Sequence, residues 1–256
     1  MEVLVITPTY NERDNLPDLV RAVLTHEGYR VMIVDDDSPD GTGAVADGLA
    51  RDFPGRVEVL HRKGPRGLGR SYLEGIRLAI TGTADVICQM DADWSHDPKY
   101  LPALVAETAA CDVVIGSRYL NGVSVVNWPL RRIMLSAFAN RYIRAVTRLR
   151  TRDCTSGFRC WRREMLAALP LENVVSEGYA FIVEMLFEAA AQGARIGEVP
   201  IIFVERRSGA SKLSKSVLVE SMLTPWRLVL RRAIGRRLHG PARQAPHAGS
   251  RTQPRV

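Results

Sequence analysis

The sequence predicts an α/β fold, a mainly parallel sheet with helices on both faces. Two patterns carry that expectation. Between Val3 and Ile115, short apolar runs rich in β-branched residues alternate with helix-forming stretches, the rhythm of right-handed β-α-β units. Several of those runs break off in carboxylates or polar loops, which puts acids at the carboxyl ends of strands, where open α/β sheets bind their ligands. With 256 residues, 46% of them hydrophobic, the chain can bury a full core.

Val3 to Thr7 reads as the first strand, and P-T-Y-N-E-R-D-N-L-P follows as a polar loop before a helix to about Leu24. Val31 to Val34 is the second, running into Asp35-Asp36-Asp37 and then S-P-D-G-T. Val57 to Leu60 is the third, followed by K-G-P-R-G-L-G-R and a helix to about Ile80. The fourth, Val86 to Met90, is the stretch the rest answers to. It ends in D-A-D-W-S-H-D-P, where Asp97 reads as an N-cap and Pro98 as the first helical residue ahead of a helix over Tyr100 to Ala109. Asp91 and Asp93 lie where strand gives way to loop, so both can serve one hard cation and the hydroxyls beside it. Val113 to Ile115 is the fifth strand and leads into G-S-R-Y.

Charge is unevenly placed. The net is +7, yet from Arg206 onward 12 Lys/Arg face the single acid Glu220, and the first 205 residues carry a net −4. Such asymmetry suits nucleic acid, an anionic membrane or phosphate-bearing ligands. No recognition helix, zinc pattern or aromatic-basic RNA motif appears, and a nucleic-acid reading leaves the strand-end aspartates without a role, so no nucleic-acid partner is expected. The four cysteines show no C-x-x-C pair and read as reduced core thiols. Met1 runs straight into a strand, so no signal peptide is expected, and no window of about 18 uncharged apolar residues predicts a spanning helix. A nicotinamide-binding site is not expected either: T-P-T-Y-N-E replaces G-x-G-x-x-G after the first strand. The later cluster at Gly64, Gly67 and Gly69 reads equally as a flexible connection or as a loop whose amides approach a phosphate.

Eight motifs occur in order: V-I-T-P-T-Y-N-E, V-D-D-D-S-P-D-G-T, G-L-G-R, M-D-A-D-W-S-H-D-P, G-S-R-Y, T-S-G-F-R, S-E-G-Y-A-F and R-R-S-G-A-S-K-L. Together, from about residue 3 to residue 213, they resemble the polyprenol (dolichyl) phosphate mannose synthases of glycosyltransferase family 2, which have the Rossmann-like GT-A fold. The resemblance implies that Pro8, Tyr10, Asn11, Glu12, Asp35, Asp37, Asp40 and Gly67 surround the nucleotide of GDP-mannose. It implies that Asp91 and Asp93 hold Mg²⁺ or Mn²⁺ and the sugar diphosphate, with Ser95 where the family often has a glutamine metal ligand. Arg118, Arg131, Arg206 and Lys212 are the cations expected at the acceptor phosphate of polyprenyl phosphate, and Arg131 and Arg132 remain alternatives to each other. Asp93, Arg118 and Lys212 are then the catalytic residues.

The chemistry follows from charge. A departing diphosphate needs a Lewis acid, and Mg²⁺ suits one or two carboxylates plus substrate phosphates. A lipid monophosphate, with a second pKa of about 6, is already a nucleophile at neutral pH, so positioning rather than a general base is required. Attack opposite the leaving group inverts the anomeric centre. The motifs do not read the base or sugar, so UDP-glucose is the alternative donor. A two-carboxylate hydrolase using Glu177 and Glu184 is not favoured, because S-E-G-Y-A-F-I-V-E-M reads as a helix opening.

Two helices look membrane-directed. Over Arg131 to Arg150, Met134, Phe138, Tyr142, Ala145 and Leu149 fall on one stripe with arginines off it. Over Lys215 to Leu238, Leu218, Val219, Met222, Leu223, Trp226, Val229, Leu230 and Ile234 share a face opposite Arg227, Arg231 and Arg232, with Pro225 kinking or splitting the helix. Core packing or a dimer contact is the other reading of these stripes; two basic helices with a tryptophan favour a membrane surface. The expected organisation is a GT-A catalytic domain over 1–213, a basic amphipathic membrane-surface helix over 214–238 and a disordered basic tail over 239–256. The expected location is cytoplasmic, peripheral on the cytosolic face of a membrane, directly or through a membrane-anchored partner protein.

Overall fold

A computed structural model describes residues 1–205 and 215–239, the side chains of Tyr179, 215–221 and 235–239 excepted. In chain order the elements begin β1 (Val3–Thr9), α1 (Leu16–Leu24), β2 (Tyr29–Asp35), α2 (Thr42–Asp52), β3 (Val57–His61), α3 (Leu68–Ala79), β4 (Val86–Gln89), α4 (Leu101–Glu107) and β5 (Val113–Ser117). They continue with β6 (Val125–Val126), α5 (Leu130–Thr147), β7 (Arg159–Arg162), α6 (Arg163–Ala167), α7 (Gly178–Ala191), β8 (Ile196–Pro200), β9 (Phe203–Val204) and α8 (Lys215–His239).

Seven strands form the central sheet in the order β3-β2-β1-β4-β7-β5-β8, and β6 pairs with β9 in a separate parallel ribbon. β1 is parallel to both β2 and β4. Its continuous apolar run is explained by cover on both faces: Leu4 and Ile6 pack with α3 and α7 residues such as Ile76 and Phe181, while Val3 and Val5 pack with Leu19, Val23 and Leu104 of α1 and α4. α3 sits close to the sheet at Gly75, where a Cβ would lie 2.9 Å from Ile6 Cγ2 and 3.1 Å from Val34 Cγ2. The expected N-cap is present: Asp97 Oδ1 accepts from the Lys99 backbone N–H at 3.0 Å, and a short 3-10 turn over Pro98–Tyr100 leads into α4.

The sheet is mainly parallel, as expected, with β7 inserted antiparallel between β4 and β5. Its four residues, inside T-S-G-F-R-C-W-R, carry no two-residue alternation to announce a strand. The helix expected to end at Arg150 stops at Thr147, Arg148 takes a left-handed conformation, and Leu149 turns into the core instead of extending an exposed stripe. Finally, α8 is not split at Pro225 but runs on through it, and the proline and its neighbours Thr224 and Leu228 are buried.

Candidate active site

The parallel strands β1, β2, β3 and β4 deliver their carboxyl ends to one rim. Asn11, Asp37 and Trp94, just beyond β1, β2 and β4, all take positive φ (61°, 56° and 63°), a conformation non-glycine residues hold only where the surroundings enforce it. Pro8 lies one residue before the end of β1, opposite Val34. The loop that follows is stitched to the one after β2: Asn11 N–H donates to Ser38 Oγ, Glu12 N–H to Thr42 Oγ1 at 3.0 Å, and Arg13 N–H to Asp40 Oδ2.

The four aspartates at the end of β2 and in the loop after it have separate duties. Asp35 is buried and accepts from Thr9 Oγ1 at 3.2 Å and Ser38 Oγ at 2.6 Å. Asp36 forms a buried ion pair with Arg62 and accepts from the Gly67 N–H at 2.8 Å, so that amide is already engaged. Asp37 is exposed, and Arg66 lies between it and Tyr10, with its guanidinium 4.6 Å from the Tyr10 ring centre and Nη1 donating to the Tyr10 hydroxyl at 2.7 Å. Asp40 accepts from the Thr42 N–H and hydroxyl at the start of α2; partial burial would raise its carboxyl, but those hydrogen bonds outweigh it and hold the pKa low.

Past β4 the chain winds tightly. Asp91 Oδ1 accepts from the buried Tyr72 hydroxyl at 2.9 Å, and Tyr72 is stacked on Phe181 of α7. The Asp91 N–H donates to His96 Nδ1 at 3.1 Å, and Asp93 Oδ1 accepts from the N–H of buried Ser95 at 3.1 Å. Burial holds the His96 pKa below the usual histidine value. No group of three or more His, Cys, Asp or Glu that could hold a metal occurs among the described residues. Two hard carboxylates fit Mg²⁺ or Mn²⁺ when substrate phosphates and water complete the shell.

Beside this centre lies a cationic, aromatic cluster. Arg118, 6% exposed, donates from its backbone N–H and Nε to Asp153 Oδ2 at 3.0 and 2.7 Å, and from Nη2 to Oδ1 at 2.7 Å. Burial would raise the Asp153 carboxyl, but the Arg118 charge and hydrogen bonds overcome it and keep its pKa below the ordinary value. Arg118 is 5.5 to 5.6 Å from the rings of Tyr119, Trp128 and Phe203. Arg132 stacks on Trp128 at 4.1 Å and pairs with Glu205, whereas Arg131 is exposed. Between the two alternatives, Arg132 is thus the one beside Arg118's aromatic surroundings. Arg206 and Lys212 lie outside the described residues. Buried Arg159, its pKa lowered to about 10 by burial, donates to the carbonyls of Cys154, Ser156 and Ile182 and ties β7 to α7.

Sequence reasoning passed over Tyr72, His96, Trp128 and Asp153. His96 stood inside a quoted motif and Asp153 two residues before another, but their partners are set by packing. Glu177 pairs with Arg70, and Glu184 accepts from the Ser176 N–H at 3.0 Å, so both acids of the hydrolase alternative are engaged with protein groups.

The two suspected surface helices touch through the Tyr142 hydroxyl, which donates to the Met222 carbonyl at 2.7 Å. Leu130, Met134, Leu135 and Phe138 of α5, with Met222, Leu223, Trp226, Leu230 and Ile234 of α8, are exposed. Three arginines of α8 are directed otherwise than a lipid-facing basic stripe requires. Arg227 bonds Ser176 Oγ, Arg231 pairs with Glu184 and Glu188, and Arg232 donates to the Ala191 carbonyl, because α7 offers acids and carbonyls on that side. Among the described residues, no helix is long and apolar enough to cross a membrane.

The family model for glycosyl transferase family 2 matches residues 4–169. The chain is 46% identical over 223 residues to a polyprenol monophosphomannose synthase of Mycolicibacterium smegmatis, covering 86% of this chain and 83% of that protein. It is 44% identical over 234 residues to an undecaprenyl-phosphate mannosyltransferase of Micrococcus luteus, covering 90% and 96%. Glucosyl-3-phosphoglycerate synthase from Mycobacterium tuberculosis shares the fold at a TM-score of 0.64 and 16% identity, over 90% of this chain and 79% of that one. The α/β architecture is accordingly GT-A-like, and the chain belongs to glycosyltransferase family 2.

Proposed function

We propose that the protein transfers mannose from GDP-mannose to a polyprenyl monophosphate, inverting the anomeric carbon to give a β-linked polyprenyl phosphate mannose that serves as a lipid-linked sugar donor. The observation that carries this reading is the near full-length likeness to two relatives, both named for mannose transfer to a polyprenol or its phosphate.

In this reading Pro8, Tyr10, Asn11, Glu12, Asp35, Asp37, Asp40 and Gly67 form the nucleotide end of the donor site. Asp35, Asp40 and the Gly67 amide act by holding the rim loops in shape, given the hydrogen bonds each already makes. Asp91 and Asp93, with Ser95 at the third-ligand position, hold Mg²⁺ or Mn²⁺. Bound there, the metal supplies Lewis-acid stabilisation of the departing diphosphate. Arg118, Arg132 or Arg131, Arg206 and Lys212 hold the acceptor phosphate against repulsion from the donor. Asp153 and Glu205, the carboxylates of this cluster, are each paired with an arginine, in keeping with a nucleophile that needs no protein base. The apolar faces of α5 and α8 rest on a membrane surface, bringing the site to a lipid acceptor; residues 1–213 are the catalytic domain and α8 the surface helix.

The test is transfer to a short polyprenyl monophosphate with Mg²⁺ or Mn²⁺, offering GDP-mannose and UDP-glucose separately. Mass spectrometry identifies the lipid product and NMR its anomeric configuration. A β-mannosyl phospholipid from GDP-mannose alone, lost in Asp93→Ala and Lys212→Ala, is expected. Product only from UDP-glucose refutes the donor assignment, and a retained α linkage refutes inversion.

A further inference from the structure

Tyr72 holds the Asp91 carboxylate, and His96 accepts its backbone N–H as a second tether. The second tether closes a turn of unusual shape. Between the two residues, Trp94 sits at φ 63°, and the Ser95 N–H is turned back onto Asp93. A bulky residue in the left-handed region is strained, so the turn persists only while its surroundings enforce it.

His96 is built to do so. Its ring is 2% exposed, stacked on Phe158 at 4.9 Å and 15°, and met edge-on by Phe203 at 5.7 Å. Gly157 also packs close by, where a Cβ would lie 3.6 Å from His96 Cε1. A backbone N–H can only donate, so Nδ1 must carry the lone pair and Nε2 the proton. Phe203 also packs on Trp128 and Arg118, so the same ring that fixes His96 touches the cationic cluster.

We propose that His96 is a positioning residue for sugar-diphosphate binding: by accepting the Asp91 N–H at Nδ1 from within the Phe158–Phe203 frame, it holds the strained Asp91–Ser95 turn in its metal-binding shape. This rests on Asp91 and Asp93 serving the metal and diphosphate, as proposed above. His96 touches neither substrate nor metal in this role.

Two variants separate the hydrogen bond from the ring. His96→Phe keeps the aromatic stack and deletes the acceptor; His96→Asn deletes the ring and retains an acceptor near Nδ1. Calorimetry with GDP and Mn²⁺ measures the ordered site, and GDP alone measures the rest of the pocket. Removing the His96 acceptor of the Asp91 N–H weakens Mn²⁺-dependent GDP binding about tenfold or more in His96→Phe. GDP binding without metal changes less than about twofold, and His96→Asn binds Mn²⁺ and GDP more tightly than His96→Phe. Long-range proton–nitrogen spectra of the ligand-free wild-type protein show the Nε2–H tautomer and need no variant. Wild-type Mn²⁺-dependent affinity in His96→Phe, or an Nδ1–H tautomer, overturns the proposal. If Asp91→Asn binds Mn²⁺ and GDP like the wild type, the metal-site reading fails as well, and that result identifies which of the two is at fault.

Discussion

Replacing Asp153 with asparagine tests the cationic cluster through its stability. Asp153 is fully buried and accepts three hydrogen bonds from Arg118, itself 6% exposed. Asn keeps the shape and one acceptor but removes the negative charge that faces the buried guanidinium. Breaking a buried pair in this way costs about 3–5 kcal/mol. At about 2–4 °C per kcal/mol for a domain of this size, Asp153→Asn lowers Tm by roughly 6–20 °C. The double variant Arg118→Met, Asp153→Leu removes both charges and fills the space, and recovers most of that loss while remaining inactive. Urea unfolding and thermal scans measure both. Acid unfolding supplies the sign. The folded Asp153 pKa lies below its unfolded value, so its contribution is fully present above about pH 4 and is lost as pH falls through the folded pKa; the Asn variant lacks that part of the acid limb. An Asp153→Asn protein within about 1 kcal/mol of the wild type refutes the reasoning, as does a double variant no more stable than the single one.

Gly75→Ala forces a methyl group against Ile6 and Val34 in the packed α3–sheet contact and lowers unfolding free energy by about 1–3 kcal/mol, measured in urea. Arg231→Gln leaves the fully buried Glu184 carboxylate without its cation; because Arg231 is about a third exposed, the expected loss is the smaller figure of about 2–3 kcal/mol, and adding Glu184→Gln restores part of it. Trp226→Ser with Leu230→Ser removes two large side chains from the exposed face of α8 and reduces co-sedimentation with phosphatidylglycerol vesicles about tenfold or more. Undiminished vesicle binding counts against a membrane role for that face.

The site was legible wherever it depends on the chain's local run. A β-branched stretch that stops in aspartates announces both a parallel strand and acids at its carboxyl end, and Asp97-Pro98 announces the turn into α4, because strand ends and caps are made by neighbours in sequence. The partners of those acids were not legible. Tyr72 reaches Asp91 from 19 residues away, Asp153 reaches Arg118 from 35, and nothing in either local pattern selects the other.

The last helix shows the same division. Its composition foretold an apolar face with cations opposite; Met222, Leu223, Trp226, Leu230 and Ile234 of that face are exposed, whereas Val229 packs against the core and the side chains of Leu218 and Val219 lie outside the described ones. Sequence could not say that the cations would serve as the attachment to the protein. By itself, the sequence determined the family, the α/β rhythm and the acids at the strand ends, all of which follow from covalent order and local periodicity. Tertiary structure alone decided the antiparallel β7, the pairing of Arg118 with Asp153 and the docking of Arg231 on Glu184, because a buried charge takes whatever partner the packing of distant segments brings within reach.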